Sequence, residues 1–211
     1  MSEAKMLSRF WDQRYDTEEY AYGREANDFF SSQLASLFPG NLLLPGEGEG
    51  RNAVYAARQG WKVDAFDLSS AGRAKALSLA EEFGIDLSYR VCVLEDFQFM
   101  PNHYDAVGLV FFHPDPYSRE FLHRMIFESL KPGGTLIFEG FHKDQLYMNS
   151  GGPKSPDMLF DEEMLAADFA RFDTQVFEKK EIVLNEGPFH QGQATVIRYR
   201  GIKPKRMYDG S

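Results

Sequence analysis

The sequence predicts an α/β fold built on a mostly parallel sheet, and three observations carry that expectation. From residue 41 onward, short apolar runs alternate with helical stretches, the pattern of strands joined by crossover helices. Tyr104 to Phe112 is nearly continuously apolar, as a strand buried on both faces requires. The chain closes with two alternating runs, Gln175 to Leu184 and Gln193 to Tyr199, whose connection Asn185 to Gly192 predicts an antiparallel hairpin.

The element around which the others are arranged is Asn41-Leu-Leu-Leu-Pro-Gly-Glu-Gly-Glu-Gly-Arg-Asn52. Leu42 to Leu44 leads into Gly46, Gly48 and Gly50, and Arg51 to Gln59 has helical composition with Gly60 as a stop, so the stretch reads as strand, glycine loop, helix. Residues without a Cβ permit a tight turn and close backbone approach, and a helix start offers unpaired N–H groups, so a ligand with an anionic group is expected there. Lys62 to Asp67 is a second strand ending in a carboxylate, placed where ribose hydroxyls donate to it in nucleotide-binding folds. Asp67 is the foremost predicted ligand contact. Turns and bulges also use glycine for purely structural reasons, and the flanking strands with the spaced Asp argue against that plainer alternative.

The loop's own charge discriminates between nucleotides. Its spacing is G-x-G-x-G rather than G-x-G-x-x-G, and Glu47 and Glu49 stand between the glycines, where they would repel a pyrophosphate. S-adenosylmethionine has no phosphate and carries a sulfonium and an ammonium, which suit an acidic loop.

Residues 46 to 69, Gly-Glu-Gly-Glu-Gly-Arg-Asn-Ala-Val-Tyr-Ala-Ala-Arg-Gln-Gly-Trp-Lys-Val-Asp-Ala-Phe-Asp-Leu-Ser, resemble the cofactor half of class I S-adenosylmethionine-dependent methyltransferases. Within that superfamily the chain is most similar to the tellurite-resistance and thiopurine methyltransferase-like branch, through Gly50-Arg51-Asn52 and Trp11-Asp-Gln-Arg-Tyr15, and the likeness runs from about Trp11 to Arg200. The resemblance implies a Rossmann-like, seven-stranded, mostly parallel sheet with a closing antiparallel hairpin and helices on both faces. It implies S-adenosylmethionine held by Gly46, Glu47, Gly48, Gly50, Arg51, Asn52, Asp67 and Leu68, and a small-molecule acceptor of thiol, thiopurine or chalcogen-oxyanion type. The family usually has an acidic residue two positions before the first loop glycine, where this chain has Leu44, so Glu47 is the candidate substitute.

The remaining elements are placed by the same signals. Lys5 to Tyr15 reads as a helix and is followed by an aromatic loop with Tyr20 and Tyr22; by resemblance it is a lid over the sulfonium, with Tyr22 and Trp11 as the lid aromatics, while core packing is the plainer reading of Trp11. Ala26 to Phe38 reads as a second helix, and Ser69 caps a third that ends at Phe83 before Gly84. Asp86 to Leu94 reads as a strand ending in Glu95-Asp96-Phe97; in the resembled fold this corner meets the adenine, with Asp96 accepting from its amine and Phe97 covering the ring, although a turn cap is a competing role for Asp96. Strand Tyr104 to Phe112, with Phe111 near its end, runs into His113-Pro-Asp-Pro-Tyr117 beyond the carboxyl edge of the sheet, so His113 is a candidate at the methyl group or a histidine bonded to a nearby carbonyl. Ser118 to Leu130 reads as a helix, Thr135 to Phe141 as a strand, His142 to Met158 as a mobile loop and Phe160 to Phe169 as a final helix. His190, in the hairpin loop, corresponds by resemblance to an acceptor-side histidine, with Gln191 where the family has arginine; an exposed loop histidine is the alternative.

At 211 residues and 43% hydrophobic, the chain predicts one domain rather than two. Residues 1–40 would form the helical lid, 41–142 the cofactor core, 143–202 the substrate-side helix and closing hairpin, and 203–211 a disordered polar tail. A formal net charge of −9 argues against a grip on nucleic-acid phosphates or anionic lipid, and no stretch approaches a membrane span, which predicts a cytoplasmic protein. Cys92 is the single cysteine and reads as core; the five histidines show no metal spacing, and oligomeric state is not legible. An NAD(P)-dependent oxidoreductase, or a cofactor-binding protein without turnover, is the alternative function. About forty residues before the first strand and a closing hairpin argue against the former.

Overall fold

The computed structural model describes residues 3–205. Helix α1 (Glu3–Tyr15) and helix α2 (Asp28–Leu34) precede strand β1 (Asn41–Pro45), and α3 (Arg51–Arg58), β2 (Lys62–Asp67), α4 (Ser70–Glu82) and β3 (Ser88–Val91) follow in crossover order. Strand β4 (Tyr104–Val110), helix α5 (Pro116–Ser129), strand β5 (Leu130–Phe141), helix α6 (Glu162–Asp168) and the paired β6 (Asp173–Asn185) and β7 (Gln191–Ile202) complete the chain. The seven strands lie in the order β3-β2-β1-β4-β5-β7-β6, parallel except for β7, which runs antiparallel to both β5 and β6. Order reverses between β1 and β4, and in such sheets the crevice for a ligand opens beyond the carboxyl ends of the strands at that point.

Each face of the sheet buries one apolar layer. Leu43, Phe66, Val107, Leu109, Leu136 and Phe138 pack under α5 and α6. Leu42, Leu44, Ala65, Ala106 and Ile137 pack under α2, α3 and α4. Burying both faces explains the near-continuous apolar reading of β4. Cys92 is half-buried and packs beside the first layer, and burial pushes its thiol up, as expected of a core cysteine.

Several boundaries differ from the sequence reading for local reasons. Helix α2 starts where Asn27 caps it by accepting from Phe30 N at 2.9 Å, and it ends at Leu34, because Ser36 Oγ turns back onto the Gln33 carbonyl at 2.7 Å and competes with helix continuation. Helix α5 begins two residues before Ser118, since Asp115 accepts from Tyr117 N and Ser118 N and Pro116 occupies a first-turn position. Strand β3 is shorter than 86–94, and the hairpin strands are longer than expected. The segment 142–158 is pinned: buried Gln145 accepts from Thr195 N at 2.9 Å and donates to Ser150 Oγ at 2.8 Å. Lys203, assigned to the tail, is buried and donates to the Leu130 carbonyl at 2.7 Å. Residues 206–211 of the expected tail lie outside the described residues. Among the described residues, no helix is long and apolar enough to cross a membrane.

Candidate functional site

The glycine loop turns beyond β1 in left-handed backbone. Gly48 has φ +60, and a Cβ there would stand 2.7 Å from the hydroxyl of Tyr15 on α1; at Gly50, with φ +87, a Cβ would stand 2.5 Å from the Ala76 Cβ on α4. Only glycine fits both demands. Gly48 thus presents bare backbone to α1, whereas Gly50 serves the packing of α3 against α4.

Asp67 ends β2 as expected. Oδ2 accepts from Gly48 N at 3.1 Å and Oδ1 from Ser69 N at 2.8 Å, while the residue keeps some exposure. Burial pushes its carboxyl up to about 6, opposed by those N–H groups. Each oxygen keeps a lone pair, so the residue both holds the loop and offers an edge to two neighbouring hydroxyls. Tyr89 donates to the Gly48 carbonyl at 2.6 Å from the opposite side, and the loop is braced from β2 and β3.

Glu47 does different work from the expected contact with a ligand amine. Its Oε1 accepts from Ala53 N at 2.7 Å, and with Gly50 providing no side chain this carboxylate caps α3. Burial pushes it up to about 7. One of the N–H groups expected to meet an anionic ligand, that of Ala53, is therefore taken by the protein's own acid, a second reason why a pyrophosphate does not suit this loop. Glu49 pairs with Lys75 at 2.7 Å.

Arg51 and Asn52, assigned to the cofactor by resemblance, tie α3 to the surrounding chain. Arg51 is buried, donates to the Tyr22 carbonyl at 2.9 Å and pairs with Glu186 of the hairpin loop at 3.1 Å. Asn52 accepts from Asn27 N at 3.0 Å. Asn27 in turn donates to Glu139 at 2.7 Å and to Glu186 at 3.1 Å, and Glu139 also pairs with Arg198. Asn27, Glu139, Glu186 and Arg198 were not singled out from the sequence, because charge clustering across β5, β7 and two loops leaves no local pattern. A cavity of about 440 Å³ lies between the 22–28 loop and the 182–187 segment, with Glu139 and Arg198 in its lining.

The two segments expected to form a lid, α1 and the loop with Tyr22, pack beside the glycine loop and the hairpin. Helix α1 docks at the β2–α4 corner: Ser8 donates to the Leu68 carbonyl at 3.1 Å, and Asp12 accepts from Ser69 Oγ at 2.7 Å and Ala71 N at 3.1 Å. Trp11 is half-buried and stacks on Tyr15 with centroids 5.6 Å apart, so Tyr15, not Trp11, meets the glycine loop. Trp11, Arg14 and Tyr15 share a helix face by their i, i+3, i+4 spacing, which is the signal that could have ranked Tyr15 higher. Tyr22 accepts from Arg14 at 3.1 Å, and its ring lies 4.5 Å from that of His190. At the β3 corner Asp96 and Glu95 are exposed, and Phe97 is buried and stacks on Phe66 at 4.2 Å, within the core layer.

The two histidines separate clearly. His113 bonds the Met158 carbonyl through Nδ1 at 2.8 Å and accepts from Phe141 N through Nε2 at 3.2 Å, so both nitrogens are committed to backbone. Burial pushes it down to about 4, and it is neutral. That is the carbonyl-bonded arrangement the sequence offered as the alternative to a role at the methyl group. His190 is buried against Phe111, Phe141 and Tyr22, with Nδ1 3.2 Å from Glu186. Phe111 itself sits at φ +51, rare for an aromatic residue and a common mark of functional sites. Among the described residues no group of His, Cys, Asp and Glu could hold a metal ion.

A partly exposed carboxylate at the end of β2, a loop of bare glycine backbone, and Tyr15 and Tyr22 as facing aromatics fit a phosphate-free adenosine carrying a sulfonium. Comparison with known proteins agrees. Residues 43–134 match the family described as Methyltransferase domain. No curated protein sequence matches the chain. Among solved structures, the Burkholderia thailandensis 1,6-didemethyltoxoflavin-N1-methyltransferase, solved with S-adenosylhomocysteine, is 20% identical at TM-score 0.69, covering 95% of this chain and 88% of its own. TehB from Haemophilus influenzae is 14% identical at TM-score 0.70, covering 93% of this chain and 66% of its own. The [4+2]-cyclase SpnF is 17% identical at TM-score 0.71, covering 95% and 96%. At these identities the solved structures establish the shared fold.

Proposed function

We propose that the protein transfers the methyl group of S-adenosylmethionine to a small-molecule acceptor, and that its affinities lie toward the tellurite-resistance and thiopurine methyltransferase-like branch. The observation that carries the reading is the capping of α3 by Glu47: with an acid of the chain itself on the Ala53 N–H and Asp67 alongside, the loop favours a phosphate-free nucleotide. Bound there, S-adenosylmethionine supplies a methyl group already activated by a sulfonium. Asp67 holds ribose hydroxyls, Gly46 and Gly48 allow close backbone approach, and Asp96, exposed at the β3 corner, reaches an amine edge. Residues 1–40 act as a lid: α1 lays Tyr15 against the loop, and the aromatic surround excludes water while nucleophile, methyl and sulfur are brought into line. His190 stands at the acceptor side.

The test is calorimetric titration with S-adenosylmethionine, S-adenosylhomocysteine and NAD, followed by labelled methyl transfer to thiols, thiopurines and chalcogen oxyanions with products read by mass spectrometry. Binding of the first two and not NAD is expected, and the reverse preference would end the reading. A second reading is kept open by SpnF, a fold neighbour described as a cyclase: tight cofactor binding with no labelled product on any acceptor would favour it.

A further inference from the structure

Glu186, at the start of the hairpin loop, touches both ends of the site. One oxygen faces Nδ1 of His190 at 3.2 Å and Arg51 of α3 at 3.1 Å; the other accepts from Asn27 at 3.1 Å. A carboxylate opposite Nδ1 makes that nitrogen the one that carries the proton, which leaves the Nε2 lone pair as the acceptor. Among the described residues no hydrogen bond reaches Nε2. Gly151 makes room for that edge of the ring, since a Cβ there would come within 2.7 Å of Cδ2 and 3.3 Å of Nε2. Carboxylate, imidazole and open Nε2 form the orienting pair found behind general bases.

The surroundings define what the base would serve. The ring is bounded by Phe111 at 4.7 Å, Phe141 at 5.3 Å and Tyr22 at 4.5 Å, an aromatic wall with one hydroxyl. Both nearby arginines are engaged, Arg51 by Glu186 and Arg14 by the Tyr22 hydroxyl and the face of Phe189 at 3.9 Å. Gln191, next in sequence, donates to the Gly187 carbonyl at 2.8 Å. An oxyanion would meet the Glu186 carboxylate, and among the described residues the one nearby arginine without an acid partner, Arg14, is held on the Tyr22 hydroxyl and the Phe189 face.

We infer that Glu186 is a positioning residue that fixes His190 as an Nε2 base for a neutral protic acceptor, a thiol or hydroxyl on an apolar body, and that chalcogen oxyanions are not accepted. The inference rests on the methyltransferase reading above. In the step, the acceptor's sulfur or oxygen bonds to the methyl carbon with its own electron pair, the carbon–sulfonium bond breaks with its pair left on the departing thioether, and the acceptor's proton passes to Nε2. Groups facing His190 are Glu186 on its own loop, Arg51 on α3, Arg14 on α1, Tyr22, and His113 after β4. Burial holds the imidazole below its usual range and Glu186 opposes that, so it is neutral near pH 7.

The test combines calorimetry, histidine nitrogen NMR and turnover on benzyl mercaptan, 4-methylphenol and sodium tellurite, for wild type and Glu186→Gln. S-adenosylhomocysteine is expected to bind both proteins within about threefold. His190 is expected to be the Nδ1–H tautomer in wild type, and the variant to lower its pKa. Wild type should methylate benzyl mercaptan or 4-methylphenol and not tellurite, and the variant should lose roughly tenfold to a hundredfold in kcat with the acid limb of its pH profile moved down. Absence of S-adenosylhomocysteine binding by wild type would remove the methyltransferase reading, and the inference with it. With binding intact, an Nε2–H tautomer, methylation of tellurite, no transfer to either neutral acceptor, or an unmoved acid limb in Glu186→Gln would overturn the inference alone.

Discussion

Glu47 Oε1 accepts from Ala53 N at 2.7 Å, so the acid inside the glycine loop caps the helix to which the loop leads. A residue predicted from charge to meet a ligand's amine turns inward and serves the fold. Its burial pushes the carboxyl from an ordinary carboxylate value up to about 7.

That relationship sets a pH dependence. Between pH 4.5 and 7 the folded protein holds a proton on Glu47 that the unfolded chain has released, so stability contributed by this group is full below that window and falls as pH rises through it. Glu47→Gln keeps an oxygen for Ala53 N and cannot ionise. Thermal melts should show the variant more stable than wild type at pH 8, by up to roughly 3 kcal/mol, and near parity at pH 5. A wild-type advantage at pH 8 would mean that the charge itself helps to cap α3.

Asp67 is pushed up to about 6 by burial, with no cation beside it among the described residues, and a sulfonium nearby would favour the anion. Binding of S-adenosylmethionine should release a fraction of a proton near pH 6, read as a buffer-dependent enthalpy, and affinity should weaken as pH falls from 8 to 5. Asp67→Asn should lower affinity by roughly 1.5–3 kcal/mol, about tenfold to a hundredfold. Unchanged affinity in the folded variant would take Asp67 out of the site.

The contact of α1 with the loop predicts a steric effect. Gly48→Ala forces a Cβ into left-handed backbone and to 2.7 Å from the Tyr15 hydroxyl. It should weaken cofactor binding and lower the melting temperature, and adding Tyr15→Phe should recover part of the loss by removing the nearest atom. No recovery in the double variant would leave backbone strain as the whole effect.

The parts legible in the sequence were those that obey a local period or a local motif. Strands β1, β2 and β4, the glycine loop, Asp67 and the closing hairpin follow from alternation, apolar runs and glycine placement, and the structure has them in those places. Boundaries at α2 and α5 were displaced by single side chains, Ser36 and Asp115, that no period records. Asn27, Glu139, Glu186 and Arg198 converge from four separate stretches, with up to 159 residues between bonded partners, and only the fold brings them together. The partners of Arg51 and Asn52 were hidden for the same reason: a motif marks the two residues, while Tyr22, Glu186 and Asn27 reach them only through the fold.

The contrast between the two histidines gives the last prediction. His113 has both nitrogens bonded to backbone and packs on Phe141 and Phe160, whereas His190 has one nitrogen on Glu186 and the other unbonded among the described residues. Removing His113 leaves the Met158 carbonyl and Phe141 N without partners, each costing about 1–3 kcal/mol where buried. His113→Phe should therefore lower the melting temperature by several degrees, yet the fraction that remains folded should turn over normally. His190→Gln should do the opposite, with a small change in melting temperature, cofactor affinity near wild type, and turnover reduced roughly tenfold to a thousandfold at saturating cofactor. If His113→Phe abolished turnover while melting like wild type, and His190→Gln kept it, the two assignments would have to be exchanged.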